Sequence, residues 1–110
     1  MVLIDQSLSN IFESIPDNLD EEVVDLITQN ENAKIERIIS RGQTSPATGW
    51  YDQEKDEWAI VLKGEAIISF ENSKEVNLKA GDHINISAHT KHKVKWTDPK
   101  TETVWLAVHY

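Results

Sequence analysis

From Lys91 to Trp96 the chain alternates strictly, with Lys91, Lys93 and Lys95 interleaved with His92, Val94 and Trp96. Successive side chains point to opposite faces only in an extended strand, so the three lysines take the solvent side and His92, Val94 and Trp96 the inner side. The same period of two recurs upstream. Ala66, Ile68 and Phe70 alternate with Glu65, Ile67 and Ser69, and Ile84 and Ile86 alternate with His83 and Asn85. Lys34 to Ser40 and Glu57 to Leu62 read as strands, Val76 and Leu78 mark a short one, and Thr103 to Tyr110 is apolar on both faces and therefore expected to be buried on both. Arg41 to Thr48, Lys63-Gly64, Glu71 to Lys74, Lys79 to Asp82 and Thr97 to Lys100 supply the loops and turns between them. About seven short strands at this spacing predict a sandwich or barrel.

The N-terminal third reads differently. Leu8, Ile11, Phe12 and Ile15 fit a short helical turn before Pro16. Asn18 then stands as a helix cap with Glu21 three residues on, and Leu19, Val23, Leu26 and Ile27 recur at helical spacing. A short α-helix ending near Gln29-Asn30 is expected. The organisation predicted is an N-terminal helical segment over 1–33 and a β-barrel over 34–110, forming one structural domain overall.

A chain of 110 residues fits one domain, with little stability to spare. It contains no cysteine, which excludes disulfides, thiolate metal sites and cysteine nucleophiles. The net charge of −8 is placed unevenly: residues 1–32 hold eight acids and no Lys or Arg, while the rest balances. Nothing basic is concentrated to meet a phosphate backbone, so no nucleic-acid partner is expected. No apolar run approaches the roughly 20 residues of a membrane span, and the first residues lack the basic flank of a signal peptide. No membrane partner and a cytoplasmic location are the expectations. No serine-nucleophile elbow, glycine-rich phosphate loop or H-E-x-x-H zinc motif is present.

Two spacings on the predicted strands carry a resemblance. Glu57 is followed by six residues and Gly64, in EWAIVLKGEA. Gly81 is followed at motif spacing by Ser87, His89 and His92, in GDHINISAHTKH. Together they resemble the two cupin motifs, G-x5-H-x-H-x(3,4)-E-x6-G and G-x5-P-x-G-x2-H-x3-N, over about residues 34–110. The resemblance implies a double-stranded β-helix (the jelly-roll or cupin barrel) with a pocket at one end. It also implies a divalent metal held by two His, a Glu and a second-motif His, and a homodimer. Here Glu57 and His92 keep their places. The two leading histidines fall on Trp50 and Asp52, or on Tyr51 and Gln53, and neither pair contains a histidine. Ser87, His89 and Trp96 replace the Pro, Gly and Asn of the second motif.

From this resemblance the expected metal set is Asp52, Glu57 and His92, with His89 three residues before His92 as a further donor. Mn, Fe or Zn is the implied cofactor, and so oxygen-rich a set suits Mn, Fe(II) or Mg better than Cu. In the other reading His92 bonds Glu57 directly, with no metal between, and the pair exchanges protons. Arg37, on the Ile35/Ile39 face, either pairs with Glu57 or Asp52 or holds a substrate carboxylate. Trp50 and Tyr51 either stack on a ligand or close the barrel end, and Trp96 forms pocket wall or core. His83 faces out. His109 is read as buried and hydrogen-bonded, its relation to the pocket open. Two functions remain: a small-molecule enzyme (oxygenase, isomerase or lyase), and a metal-free cupin that binds a small ligand or serves as an accessory module.

Overall fold

The computed structural model describes residues 8–110. Eight strands follow one another: β1 Val23–Gln29, β2 Lys34–Ser40, β3 Glu57–Lys63, β4 Glu65–Phe70, β5 Glu75–Lys79, β6 His83–Ile86, β7 His92–Thr97 and β8 Thr103–His109. They form a five-stranded sheet in the order β1-β2-β8-β3-β6 and a three-stranded sheet in the order β5-β4-β7. Every pairing is antiparallel. This all-β arrangement is the double-stranded β-helix that the motif spacing implied.

Alternation decides what meets between the sheets. Ala59 and Val61 of β3, Ala66 and Ile68 of β4, Leu78 of β5, Ile86 of β6 and Trp105 of β8 form the buried core. Gly64 alone carries the chain from β3 in one sheet to β4 in the other, with φ of 88°. A β-carbon there would meet Thr103 Oγ1 at 2.5 Å and the backbone beside it, so only glycine fits both the dihedral and the space.

The expected N-terminal helix is corrected: Val23–Gln29 is a strand, and the described residues hold no helix. Two Val, one Ile and one Thr in seven residues favour extension, and β2 supplies a partner from Val23↔Ile39 to Gln29↔Lys34. The helical spacing of Leu19, Val23 and Leu26 is outweighed by that pairing. Asn18 does cap, but its Oδ1 accepts from the amide of Asp20 in a local turn. The turn expected over Leu8 to Ile15 is a set of bends without helix. The expected boundary at residue 33 falls inside the β1–β2 hairpin, where the Asn30 amide donates to the Ala33 carbonyl at 2.9 Å.

Residues 11–19 lie against the outer face of the larger sheet. Leu19 is buried, and its carbonyl accepts from Gln43 Nε2 at 2.6 Å. Ile39 and Val104, paired neighbours in the sheet, are fully buried beneath this cover.

Candidate functional site

The two sheets part at one end around a cavity of about 140 Å³. Its apolar walls include Ile38, Ala59, Ile68, Ile86, Val94 and Trp105. Its polar groups are Glu22, Glu36, Ser45, Tyr51, Gln53, Glu57, His92 and His109. A small, mostly apolar concavity with a few converging polar groups has the character of a ligand site, at less than the roughly 300–1,000 Å³ usual for drug-sized molecules. A larger, open groove lies outside the barrel between Phe12–Asp17 and Arg41, Lys63 and Glu102. Three of its four charged groups already pair, Glu102 with Lys63 at 2.5 Å and with Arg41 at 3.3 Å.

Glu57 opens β3 and His92 opens β7, so the two sheets bring the motif residues together across the cavity. His92 is 4% exposed. Its Nδ1–H donates to the Thr90 carbonyl at 2.7 Å, which leaves Nε2 facing Glu57 Oε1 at 3.5 Å. With Nδ1 so committed, Nε2 carries a proton only as imidazolium. Burial alone lowers the pKa of the ring, but the Glu57 carboxylate and the Thr90 carbonyl together outweigh it and raise the pKa above the ordinary imidazole value. Tyr51 and Phe70 flank the ring, with centroids 5.6 and 6.3 Å away.

Tyr51 reaches the cavity because residue 51 pairs with His92: the Tyr51 amide donates to the His92 carbonyl at 2.8 Å. Its hydroxyl donates to Ser45 Oγ at 2.9 Å. Burial raises the Tyr51 pKa, and the Glu22, Glu57 and Glu36 carboxylates push the same way against the Ser45 hydrogen bond. Burial likewise raises Glu22, against hydrogen bonds from Ser45 and Ser40. On the far side of the cavity His109 Nε2 meets Glu36 Oε1 at 3.0 Å.

Several expected site residues stand elsewhere. Tyr51 and Gln53, not Trp50 and Asp52, occupy the places of the two leading histidines, because both line the cavity. Asp52, between them, points away and pairs with Nδ1 of His89 at 2.8 Å. His89 is the turn histidine in a left-handed conformation, φ 61°, with its side chain 66% exposed. Asp52 and His89 therefore do not join Glu57 and His92. Among the described residues, no three His, Cys, Asp or Glu side chains are arranged to hold a metal ion. The donor set does not fit the divalent metal that the resemblance implied.

Arg37 is buried on the opposite face of β2 from Glu36 and Ile38. Its Nε and Nη2 donate to Asp25 Oδ2 at 3.1 and 2.7 Å, and its Nη1 donates to the carbonyls of Ile11 and Glu13 at 3.0 and 2.5 Å. It holds the N-terminal cover and does not reach a substrate in the cavity. Trp96 is outside the barrel and 36% exposed. Ile68 pairs with Val94 but Ile67 with Trp96, so Lys95 bulges from the ladder. One extra residue inverts the alternation, and Thr97 turns inward in place of Trp96. Trp50 is absent from the cavity lining and lies under Lys93, whose Nζ sits 4.4 Å from its ring centre. His83 is exposed as expected and accepts from Trp58 Nε1 at 3.3 Å. His109 is both hydrogen-bonded and part of the cavity wall.

Sequence reasoning missed Glu22, Glu36 and Ser45. Glu22 fell inside the expected helix and Ser45 in a loop. Glu36 shares the Ile38 face, and the apolar residues on both faces of β2 hid which one looks inward.

The match to the cupin domain family covers residues 38–109, and the chain belongs to that family. Over 94% of its length it matches 96% of a Ralstonia eutropha JMP134 protein at 40% identity and a TM-score of 0.87, and that protein is provisionally described as a mannose-6-phosphate isomerase. The fold is shared with a cupin superfamily protein of Desulfitobacterium hafniense DCB-2 (18% identity, 86% of this chain and 82% of that one, TM-score 0.72). A double-stranded β-helix protein of Methanocaldococcus jannaschii has the same fold (19% identity, 86% and 84%, TM-score 0.69). No curated protein sequence matches.

Proposed function

We propose that this protein binds a small molecule in the barrel cavity without a metal, and that Glu57 and His92 exchange a proton with that molecule. The observation that carries this reading is the Nε2–Oε1 approach of 3.5 Å between a buried imidazole and a carboxylate, with Asp52 and His89 paired to each other elsewhere. His92 as imidazolium offers a proton from Nε2, and Glu57 as carboxylate accepts one, so a ligand hydroxyl or carbonyl between them meets an acid and a base. Thermal melts with Mn, Fe(II) and Zn and metal analysis of the purified protein test it. The expected result is no bound metal and no shift that depends on His92. Stoichiometric metal lost in His92→Ala overturns it.

A second reading, a sugar-phosphate isomerase, is favoured by the description of the Ralstonia protein at 40% identity. Against it, the cavity is lined by three carboxylates and by no Lys or Arg. An isomerase assay on mannose 6-phosphate, with and without added metal, decides: turnover abolished by His92→Ala establishes this reading, and its absence removes it.

The small-molecule ligand is joined by one proposed macromolecular partner, a second copy of this chain. Edge strand β1 leaves Val24, Leu26 and Ile27 about half exposed, and an open apolar edge favours pairing. Sedimentation at two concentrations reads the homodimer directly. A cytoplasmic setting, without nucleic acid or membrane partners, belongs to the same proposal; no helix among the described residues is long and apolar enough to cross a membrane.

A further inference from the structure

The three carboxylates of the cavity are not equivalent. Glu57 faces His92 and Glu36 faces His109. Glu22 has no cationic partner among the described residues. Its contacts are hydroxyls: Ser40 Oγ donates to Oε2 at 3.4 Å, and Ser45, which receives the Tyr51 hydroxyl, supplies a second hydrogen bond. Hydroxyls offer dipoles and no charge. Val24, Ile38, Val94 and Trp105 wall the same space, and a carboxylate among apolar walls is costly unless a positive charge accompanies it. Burial raises the proton affinity of Glu22, and the serine hydrogen bonds offset it only in part. Neither Lys nor Arg lines the cavity to supply a positive charge.

We infer that Glu22 is the counter-charge for a ligand's ammonium group, so that the cavity takes small primary amines and rejects phosphates and carboxylates. The inference rests on the cavity being the binding site and adds the charge class of what enters it. Size and charge act together. About 140 Å³ admits a chain of a few carbon atoms, Tyr51 and Trp105 are the aromatic walls available to a cation, and an anion would face three carboxylates in a low-dielectric space. The Glu57–His92 pair is left for the uncharged end of the same ligand.

Three probes with the same number of carbon atoms and different charge test this: propylammonium, propan-1-ol and propionate. Each is titrated into the full chain and followed by NMR at the side-chain signals of Tyr51, His92 and His109. Propylammonium is expected to shift these signals at the lowest concentration, and propionate not at all. Glu22→Gln is expected to weaken propylammonium about 30-fold or more, as when one partner of a buried charge pair is removed. The ranking in the unaltered protein needs no variant, so misfolding of Glu22→Gln leaves the test intact. Binding of propan-1-ol or propionate as tight as that of propylammonium, or unchanged affinity in folded Glu22→Gln, overturns the charge assignment and leaves the cavity reading standing. Cavity signals that respond to none of the three probes overturn both.

Discussion

Arg37 and Glu57 are charged groups of the same sheet, Arg37 on its outer face and Glu57 on its inner, where His92 of the second sheet meets it. Arg37 donates four hydrogen bonds, two to Asp25 and one each to the Ile11 and Glu13 carbonyls. Across the sheet, His92 Nε2 stands 3.5 Å from Glu57, longer than an ordinary hydrogen bond, beside a cavity and a third carboxylate that has only hydroxyls for company. A saturated buried charge holds structure together. An unsaturated one at a cavity keeps bonding capacity for something that arrives. Burial alone would have ranked the two sites alike; the count and length of their hydrogen bonds separate them.

The largest expected effect breaks the saturated side. Arg37→Met removes four charge-assisted hydrogen bonds, and chemical denaturation should show a loss of about 2–3 kcal/mol, moderated because Asp25 is partly exposed and regains water. Amides of residues 11–19 should lose protection from hydrogen exchange in the same variant. No loss of stability would place Arg37 with the functional groups instead.

Glu57→Gln should move stability by about 1 kcal/mol or less, upward if at all, because sites kept for function are often stabilised when their charge is removed. It should also flatten one pH dependence. The folded-state pKa of His92 is raised by Glu57 and Thr90 over the opposing effect of burial. Its contribution to stability is therefore complete below the ordinary imidazole value and is lost as pH rises through the folded value. Melting temperatures across that window should fall in the unaltered protein and stay level in Glu57→Gln.

On the outer surface, the Lys63 ammonium, then the backbone of Glu102 itself, and Arg41 hold the Glu102 carboxyl down at about 2. This contribution is present above the ordinary carboxylate value and lost as pH falls toward about 2. Lys63 is half exposed, so Lys63→Ala should remove less than about 1 kcal/mol of acid-sensitive stability. The smallest effect belongs to Asp52→Ala and His89→Ala. Their exposed pair should contribute no more than about 0.5 kcal/mol in denaturation, and neither change should alter ligand or metal affinity. A metal affinity lost in Asp52→Ala would reinstate it as a ligand.

Much of the barrel was legible in the sequence because alternation and turn chemistry are local. Lys34–Ser40, the first of the strands anticipated, is present with the bounds expected, and Glu57 and His92 meet as their motif spacing implied. What was not legible depends on register. A single unpaired residue, Lys95, inverts every side chain after it and puts Trp96 outside; nothing in the composition of that strand announces it. The N-terminal strand escaped notice because helical spacing in Leu19–Ile27 is local, whereas its pairing with β2 is tertiary. The choice between the Glu36 and Arg37 faces could not be read because the N-terminal cover buries Ile39 on the outer face as thoroughly as the core buries Val61 on the inner.

The place of β8 has a consequence for synthesis. It follows the other seven described strands in the chain, yet it lies between β2 and β3 and pairs with both, from Lys34↔His109 on one side and Glu57↔His109 on the other. Until Thr103–His109 leaves the ribosome, β2 and β3 have no common neighbour, Trp105 and His109 are missing from the cavity, and the growing chain exposes unpaired strand edges. Ligand binding thus reports the arrival of β8, and a ligand present during translation can act only once that strand has joined the sheet, by trapping it in place.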